Sequence, residues 1–352
     1  MSTPSPATPR LGDRFSLRFD GPHGDAEVLG ILVQVDPDAV TLLPEGKPAV
    51  RVPRAAIRAA RVVPLRPVRP VSPIEDVATI AAAGWPAAVT ERLGGWLLRA
   101  AHGGSGRANS VLPTGESGLP IGAAIEAVRE WYADRALPAR FTELPRLGGL
   151  PPRVRRDPSD LRAELDRQGW DRVDPMLVLV GDLRRMPVTK EGSAPATAAR
   201  AGQPEGIVLA GNGDALAYWS NSPDEQWWAV DGAEAVRRQE MTLAAARYLT
   251  LIRRDTAKAT ASTGSPGIGT PLAVVRLAVT RDWCGVSNLT TAPDARGAGW
   301  GRAALAEALA EGRRAGARFA YLQVREDNKV ARSLYADMGF TAHHGYAYRN
   351  PG

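Results

Sequence analysis

The feature that most constrains the fold is an internal repeat of helix, turn and strand patterns. Residues 123–144 resemble residues 302–324, and both open their strand with Ala-Arg-Phe. Residues 161–180 resemble residues 331–349, and each is a helix that ends at a glycine before an aromatic residue and a strand. Two such matches in the same order predict two tandem copies of one α/β unit, although similar segments also arise without shared ancestry.

The chain divides into parts by composition. After a short tail (1–9), alternating apolar runs separated by turn residues predict a small antiparallel barrel over residues 10–66. The first copy with its linker occupies residues 76–203 and the second residues 204–352. The predicted fold class is α/β (α+β): two mixed sheets flanked by helices and preceded by a small β-barrel.

Two stretches rich in proline and small residues separate these parts. The sequence PLRPVRPVSP (64–73), which overlaps the linker 67–75, is expected to be a semi-rigid spacer because proline favours an extended backbone. The stretch TKEGSAPATAARAGQPEG (189–206) has no apolar periodicity and predicts an exposed linker or loop.

Charge and cysteine content bear on partners and compartment. The net charge of +6 would fit nucleic acid. However, nearly all the basic residues are arginines without interleaved aromatics, so a GC-rich genome explains the excess as well. The single cysteine, Cys284, fits a reducing compartment and predicts an inert buried residue rather than a reactive thiol. The sequence has neither a secretion signal nor a membrane span, so we expect a cytoplasmic protein.

The segment DARGAGWGRAAL lies between a predicted strand, WCGVSNLTT, and a predicted amphipathic helix. Such a loop directs unpaired backbone N–H groups and the positive end of the helix dipole at one point. Gly297, Gly299 and Gly301 allow close approach to the backbone, and Arg296 and Arg302 can bind phosphate oxygens. The segment predicts a phosphate site; a turn without a ligand is the alternative.

The spacing argues against two familiar nucleotide loops. A P-loop requires Lys followed by Ser or Thr after its last glycine, where this chain has Arg302 and Ala303. The dinucleotide fingerprint requires its third glycine at position 302. ATP and nicotinamide cofactors are therefore poorly supported.

Two motifs resemble the GNAT superfamily of acyl-CoA-dependent N-acetyltransferases over about residues 204–352. Arg296, Gly299 and Gly301 form its Arg-x-x-Gly-x-Gly loop, and NKVARSLYADMGF is similar to its second motif. The residues in register in the second motif are Asn328, Ala331, Tyr335, Gly339 and Phe340. The whole arrangement resembles actinobacterial tandem GNAT proteins with an N-terminal SH3-like domain, which are named for histone-type acetyltransferase activity.

The resemblance implies acetyl-CoA as acyl donor, no metal, and direct transfer to a primary amine of a protein lysine or a small molecule. Backbone groups of Leu289, Thr290 and Thr291 are then expected to pair with the pantetheine arm. The pyrophosphate is expected to bind Arg296, Gly297, Ala298, Gly299, Trp300, Gly301 and Arg302. Asn328 would bind the cofactor, cap its helix, or do both.

Tyr335 is the expected general acid that protonates the leaving CoA thiolate. The alternative is core packing, but Val330, Leu334 and Met338 form an apolar stripe that leaves Tyr335 free to face the cofactor. No general base is assigned. Asp282 and Glu326 fit ordinary surface charges, and His343 and His344 fit solvated hairpin residues before the last strand.

The first copy is expected to be inactive. If Gly169 aligns with Gly339, Leu165 takes the place of Tyr335, and the first copy's loop lacks the Arg-x-x-Gly-x-Gly pattern. We expect this copy to pack against the second and to wall the acceptor cleft, through Trp96 or Arg107. Two alternatives to an enzyme remain open: an acyl-CoA-binding regulatory protein without turnover, and a barrel that recruits nucleic acid or protein. The oligomeric state is not predicted.

Overall fold

The computed structural model describes residues 13–22, 24–44, 49–63, 67–102, 104–145, 159–187, 205–210, 215–243, 245–253 and 269–352. The helices are α1 (Ile74–Gly84), α2 (Ile121–Ala133), α3 (Ser159–Arg167), α4 (Glu225–Asp231), α5 (Ala235–Met241), α6 (Trp300–Arg314) and α7 (Lys329–Asp337). The first strands are β1 (Arg14–Gly21), β2 (Gly24–Val35), β3 (Ala39–Pro44), β4 (Val50–Pro53), β5 (Ile57–Val63), β6 (Val89–Leu93), β7 (Trp96–Ala100), β8 (Leu112–Pro113) and β9 (Phe141–Glu143). The later strands are β10 (Asp171–Asp182), β11 (Glu205–Ala210), β12 (Ala215–Ser220), β13 (Arg247–Arg253), β14 (Pro271–Thr280), β15 (Trp283–Thr291), β16 (Phe319–Arg325) and β17 (Thr341–Asn350).

The N-terminal strands form one antiparallel sheet with the order β4-β3-β2-β1-β5. Alternate residues such as Phe15 and Leu17 are buried and pack with Leu42 and Val52 in a small core of their own. Within the part of the chain that the structure describes, β4 and β5 are not paired with each other, so the sheet is not closed. The predicted SH3-like barrel is therefore not confirmed.

The central sheet has nine strands in the order β11-β12-β13-β14-β15-β16-β10-β17-β9. Strand β10 belongs to the first predicted copy, yet it lies between β16 and β17 of the second copy and pairs antiparallel with both. Strand β17 in turn pairs with β9 of the first copy. The two predicted copies thus exchange strands and share one sheet, while β6, β7 and β8 form a separate small sheet.

Helices cover both faces of the central sheet. On one face, α6 and α7 contribute Ala304, Leu305, Ala308 and Leu309 of α6 and Met338 just after α7 to the largest apolar core. On the other face lie α1, α4 and α5, whose buried side chains contact the opposite side of the same strands. The alternating side chains of a strand explain this division, because successive residues point to opposite faces.

The ends of α3 and α7 support the alignment of the two copies. The Trp170 amide donates to the Leu165 carbonyl at 2.9 Å, and the Phe340 amide donates to the Tyr335 carbonyl at 3.0 Å. Both helices are followed by a glycine with positive φ (Gly169 at 73°, Gly339 at 88°), as expected for a left-handed helix end. Leu165 is therefore the counterpart of Tyr335 in its local hydrogen bonding.

The proline-rich linker does not behave as a free spacer. Val68 is buried, and its carbonyl accepts a hydrogen bond from the Trp283 indole at 3.0 Å, so this stretch packs along the sheet. The tail 1–9 and most of the linker 189–206 lie outside the described residues. No helix in the described parts of the chain is long and apolar enough to cross a membrane.

Candidate active site

Strands β15 and β16 separate halfway along their length. They pair in parallel from Trp283 with Phe319 to Val286 with Leu322, and the pairing ends there. Strand β15 continues to Thr291 while remaining paired with β14 on its other side. Its residues change from buried to half-buried at the point of separation, so the backbone edge of 287–291 that faces away from β14 borders an opening in the sheet.

A bulge lies at this opening. The register between β14 and β15 shifts between Val274 and Arg276, and Asn288 of β15 has a φ of +52°. The Asn288 side-chain Nδ2 donates to the Asp231 carboxylate at 2.8 Å. Burial raises the pKa of Asp231. This carboxylate beside the opening was missed by sequence reasoning, because its helix α4 has no motif that marks it.

The predicted phosphate loop leads directly from β15 into α6. Gly297 and Gly299 have φ values of 75° and 83°, which favour glycine, and Gly299 is the N-cap of α6. The Ala303 amide is the first in this segment to bond within the helix, donating to the Gly299 carbonyl at 3.0 Å. The amides of Trp300, Gly301 and Arg302 therefore have no helical acceptor and point out of the helix start.

Gly301 has a different role from the other two glycines. A Cβ at this position would lie 3.1 Å from the Thr291 hydroxyl, so glycine lets α6 approach the end of β15. The Arg302 guanidinium donates to the Asp337 carboxylate at 2.8 Å and thereby joins α6 to α7. Arg296 and Ala298 are exposed at the rim of the loop.

The other predicted cofactor residues lie on β15, at the start of α6 and at the start of α7. Leu289 and Trp300 are half-buried against the core beneath α6, and Thr290 and Thr291 complete the free edge of β15. Asn328 is exposed and caps α7, with its side-chain oxygen accepting from the Ala331 amide at 3.1 Å. The capping interpretation of Asn328 is thus confirmed, and its amide group remains available to a ligand.

Tyr335 is on the buried face of α7, which differs from the predicted pattern. Val330 is 85% exposed, so the proposed stripe does not extend to it, and Tyr335 is 8% exposed in the core with its ring 6.1 Å from that of Phe340. Burial raises the pKa of Tyr335, and the charge of Arg107 lowers it. The phenol therefore combines core packing with a position inside the field of Arg107.

A small cavity, partly open to solvent, lies on the face of the sheet that carries α1. Gln323, the residue after the last β15–β16 pair, lines it, so the cavity adjoins the opening between these strands. Aromatic walls come from Trp85, Tyr346 and Tyr348. The cavity thus lies on the side of the sheet away from α6.

The two neighbouring histidines are not solvated hairpin residues. Both lie on β17, and their Nδ1 atoms are 2.6 Å apart. His343 Nε2 lies 3.0 Å from the Ser72 carbonyl, so a neutral His343 donates there and accepts at Nδ1 from His344. His344 lines the cavity, and burial lowers its pKa to about 3, so it is neutral and keeps an Nε2 lone pair.

The two carboxylates considered as bases lie elsewhere. Asp282 precedes β15 at the end opposite to the opening, where its carbonyl accepts from the amides of Arg318 and Phe319. Glu326 is exposed just after β16. Cys284 is buried, and burial raises the pKa of its thiol to about 12, which disfavours the reactive thiolate.

The first copy contributes to the cavity through Arg107 but not through Trp96. Trp96 is buried in the core of the first copy, and its indole donates to the Gly115 carbonyl at 3.0 Å, so of the two alternatives Arg107 is the one that lines this cavity. Arg99, at 6% exposure, bonds Ser110 and Thr142 and is also part of the cavity wall.

Comparisons of the sequence with known proteins point to one family. A family model described as "Probable histone acetyltransferase Rv0428c C-terminal" matches residues 71–349. The Probable histone acetyltransferase Rv0428c of Mycobacterium tuberculosis is 32% identical over 160 residues, 39% of this chain and 47% of that protein. The chain thus spans about half the length of this curated relative.

Two solved structures are similar to the chain. A GCN5-related N-acetyltransferase from Kribbella flavida has a TM-score of 0.52 and 15% identity, covering 79% of this chain and 95% of that chain. A tandem GNAT protein from the clavulanic acid biosynthesis pathway has a TM-score of 0.44 and 17% identity, covering 65% of this chain and 69% of that chain. The first of these likenesses shows that the mixed α/β fold is GNAT-like.

Proposed function

The chain belongs to the acetyltransferase family described by the C-terminal part of Rv0428c, and we propose that it transfers an acetyl group from acetyl-CoA directly to a primary amine. The observation that carries this proposal is the opening between β15 and β16 beside the start of α6. A free strand edge and the amides at the start of α6 lie at the end of β15, and Tyr335 is buried in the core that β15 and α6 share. Acetyl-CoA, when bound, supplies the thioester that the amine attacks.

The residues of the opening fit the parts of this donor. The free edge of 289–291 can pair with the amides of the pantetheine arm, as an added strand would. The amides at the start of α6, with Arg296 at the rim, can hold the pyrophosphate through charge-assisted bonds and the helix dipole. The Asn328 side-chain nitrogen, which takes no part in capping α7, can donate a hydrogen bond to the same molecule.

Tyr335 is the residue that we propose as general acid. Because burial raises its pKa, the phenol stays protonated at neutral pH and can give its proton to the departing thiolate. No covalent enzyme intermediate is part of the proposal, since Cys284 is buried and its thiol pKa is raised. Asp231 and His344 are candidate acceptors for the amine proton, Asp231 through water.

The N-terminal sheet and the compartment belong to the same proposal. We interpret β1–β5 as an SH3-like module that recruits a protein partner in the cytoplasm, since these strands have their own core. Binding of nucleic acid by this module would be salt-dependent, which distinguishes it from recruitment of a protein.

The test is calorimetric titration with acetyl-CoA together with a CoA-release assay over a panel of amines. We expect Gly301→Glu to abolish acetyl-CoA binding, because the new side chain crowds Thr291 and places a negative charge at the phosphate site. Ala315→Glu, at the other end of α6, is the matched control and should bind normally. Binding without release of CoA with any amine would favour a non-catalytic acyl-CoA sensor.

A further inference from the structure

The charged side chains that line the cavity beside the opening are all basic. Arg99 and Arg107 contribute guanidinium groups to its wall, and none of the residues that line it is an Asp or a Glu. Arg99 is already occupied by the backbone and hydroxyl of Ser110 and by Thr142. Arg107 is half-buried, and within the described residues its guanidinium has no hydrogen bond or ion pair and lies 5.2 Å from the Trp85 ring.

The position of Arg107 is fixed by the other half of the molecule. The Glu240 carboxylate of α5 accepts from the amides of Gly104 and Ser105 at 2.7 and 3.2 Å and from the Asn109 side chain at 2.7 Å. On the cavity side, a Cβ at Gly106 would lie 2.6 Å from the Tyr348 ring, so the loop rests directly on the cavity wall. The buried Glu240 carboxylate thus holds this loop in place. Arg107 lies on the same loop, and its guanidinium has no hydrogen bond or ion pair among the described residues.

The charge of Arg107 also acts on the proposed chemistry. Burial raises the pKa of Tyr335 and of the buried cavity residue Tyr346, and the charge of Arg107 partly offsets this rise in both. An anion bound to Arg107 would lie in the same cavity as the neutral His344, which offers a lone pair to an amine.

We propose that this cavity binds the acceptor as a small amine that carries a carboxylate or a phosphate, with the anionic group paired to Arg107. The inference rests on the proposed acetyl transfer for its reaction and on the cavity for its specificity. An unpaired guanidinium prefers bidentate contact with either anion. A lysine in a strongly basic peptide would instead meet two arginines without a counter-charge.

The experiment compares matched amines with wild type and variants. The pairs are 4-aminobutyrate with butylamine and phosphoethanolamine with ethanolamine, together with a Lys/Arg-rich peptide, measured by CoA release and by calorimetric binding without acetyl-CoA. We expect the anionic member of at least one pair to be preferred by about ten- to a hundredfold in kcat/KM, since charged hydrogen bonds contribute at this level. The pair that shows the preference identifies carboxylate or phosphate.

Variants assign the preference to Arg107. Arg107→Gln should remove it while leaving acetyl-CoA affinity unchanged, and Arg107→Lys should retain part of it because the charge remains without the planar fork. Arg318→Gln, at the exposed start of β16, is the control with the same charge change. Preference for the basic peptide, or equal binding and turnover within both pairs, would overturn the inference. Absence of acetyl-CoA binding would instead refute the proposed transfer, and amine binding would still test Arg107.

Discussion

Acidification should destabilise this protein through His344. Burial lowers the pKa of His344 from 6.5 to about 3 in the folded chain. A group whose folded pKa is lowered stabilises the fold above its unfolded pKa and loses this contribution as the pH falls below 6.5. At pH 5 the unfolded imidazole is mostly protonated and the folded one is not, so the linkage relation gives a loss of about 2 kcal/mol relative to pH 7.5.

The comparison is urea unfolding of wild type and His344→Phe at pH 7.5 and pH 5. The substitution removes the only group under test and costs some stability at both pH values, so the difference between the two pH values isolates the titration. We expect the wild type to lose about 2 kcal/mol more than the variant. His102→Gln, an exposed histidine, should keep the wild-type dependence. An equal loss in wild type and His344→Phe would refute the assignment of a buried neutral imidazole.

Three further outcomes follow from the site. Tyr335→Phe should lower kcat by about 10²–10⁴ with unchanged acetyl-CoA affinity, because only the leaving thiolate needs the proton; unchanged turnover would remove the phenol from the mechanism. Asp337→Ala should cost under about 1 kcal/mol in unfolding free energy, because both partners of the Arg302–Asp337 ion pair are exposed. This variant should preserve acetyl-CoA affinity in calorimetry, whereas Arg302→Ala should weaken acetyl-CoA affinity. Glu240→Gln should speed amide exchange of residues 104–109, and unaltered exchange would contradict its role in holding this loop.

Sequence patterns predicted the local parts of the site well. WCGVSNLTT coincides with β15, the glycine loop does lead into α6, and Asn328 does cap α7, since each of these depends on neighbouring residues. The insertion of β10 between β16 and β17 was beyond such patterns, because the partners of a strand are chosen by contacts distant in sequence. Trp96 and Val330 failed for the same reason: which face of an element is buried depends on what packs against it.

Arg107 shows where partial prediction stops. The repeat predicted Arg107 as part of the cleft wall. The sequence did not show that Glu240 bonds the Gly104 amide and the Asn109 side chain, or that Arg107 has no carboxylate partner among the described residues. No pattern in the first copy indicates a carboxylate of α5 as the support of its loop. The sequence did not predict the burial of His344 either, because two adjacent histidines before an aromatic strand are also typical of exposed hairpins.

The exchange of β10 and β17 has a consequence for how the chain is made. During synthesis β10 emerges before β16 and β17, so its two neighbours are absent while the first copy is completed, and its edges wait unpaired. Long-range pairings of this kind are slow to form. A fragment that begins at residue 204 lacks the strand between β16 and β17, next to the helix that carries Tyr335. The first predicted copy thus supplies the strand that joins β16 to β17, and the sheet beside the second copy's motifs is complete only when both copies are present in one chain.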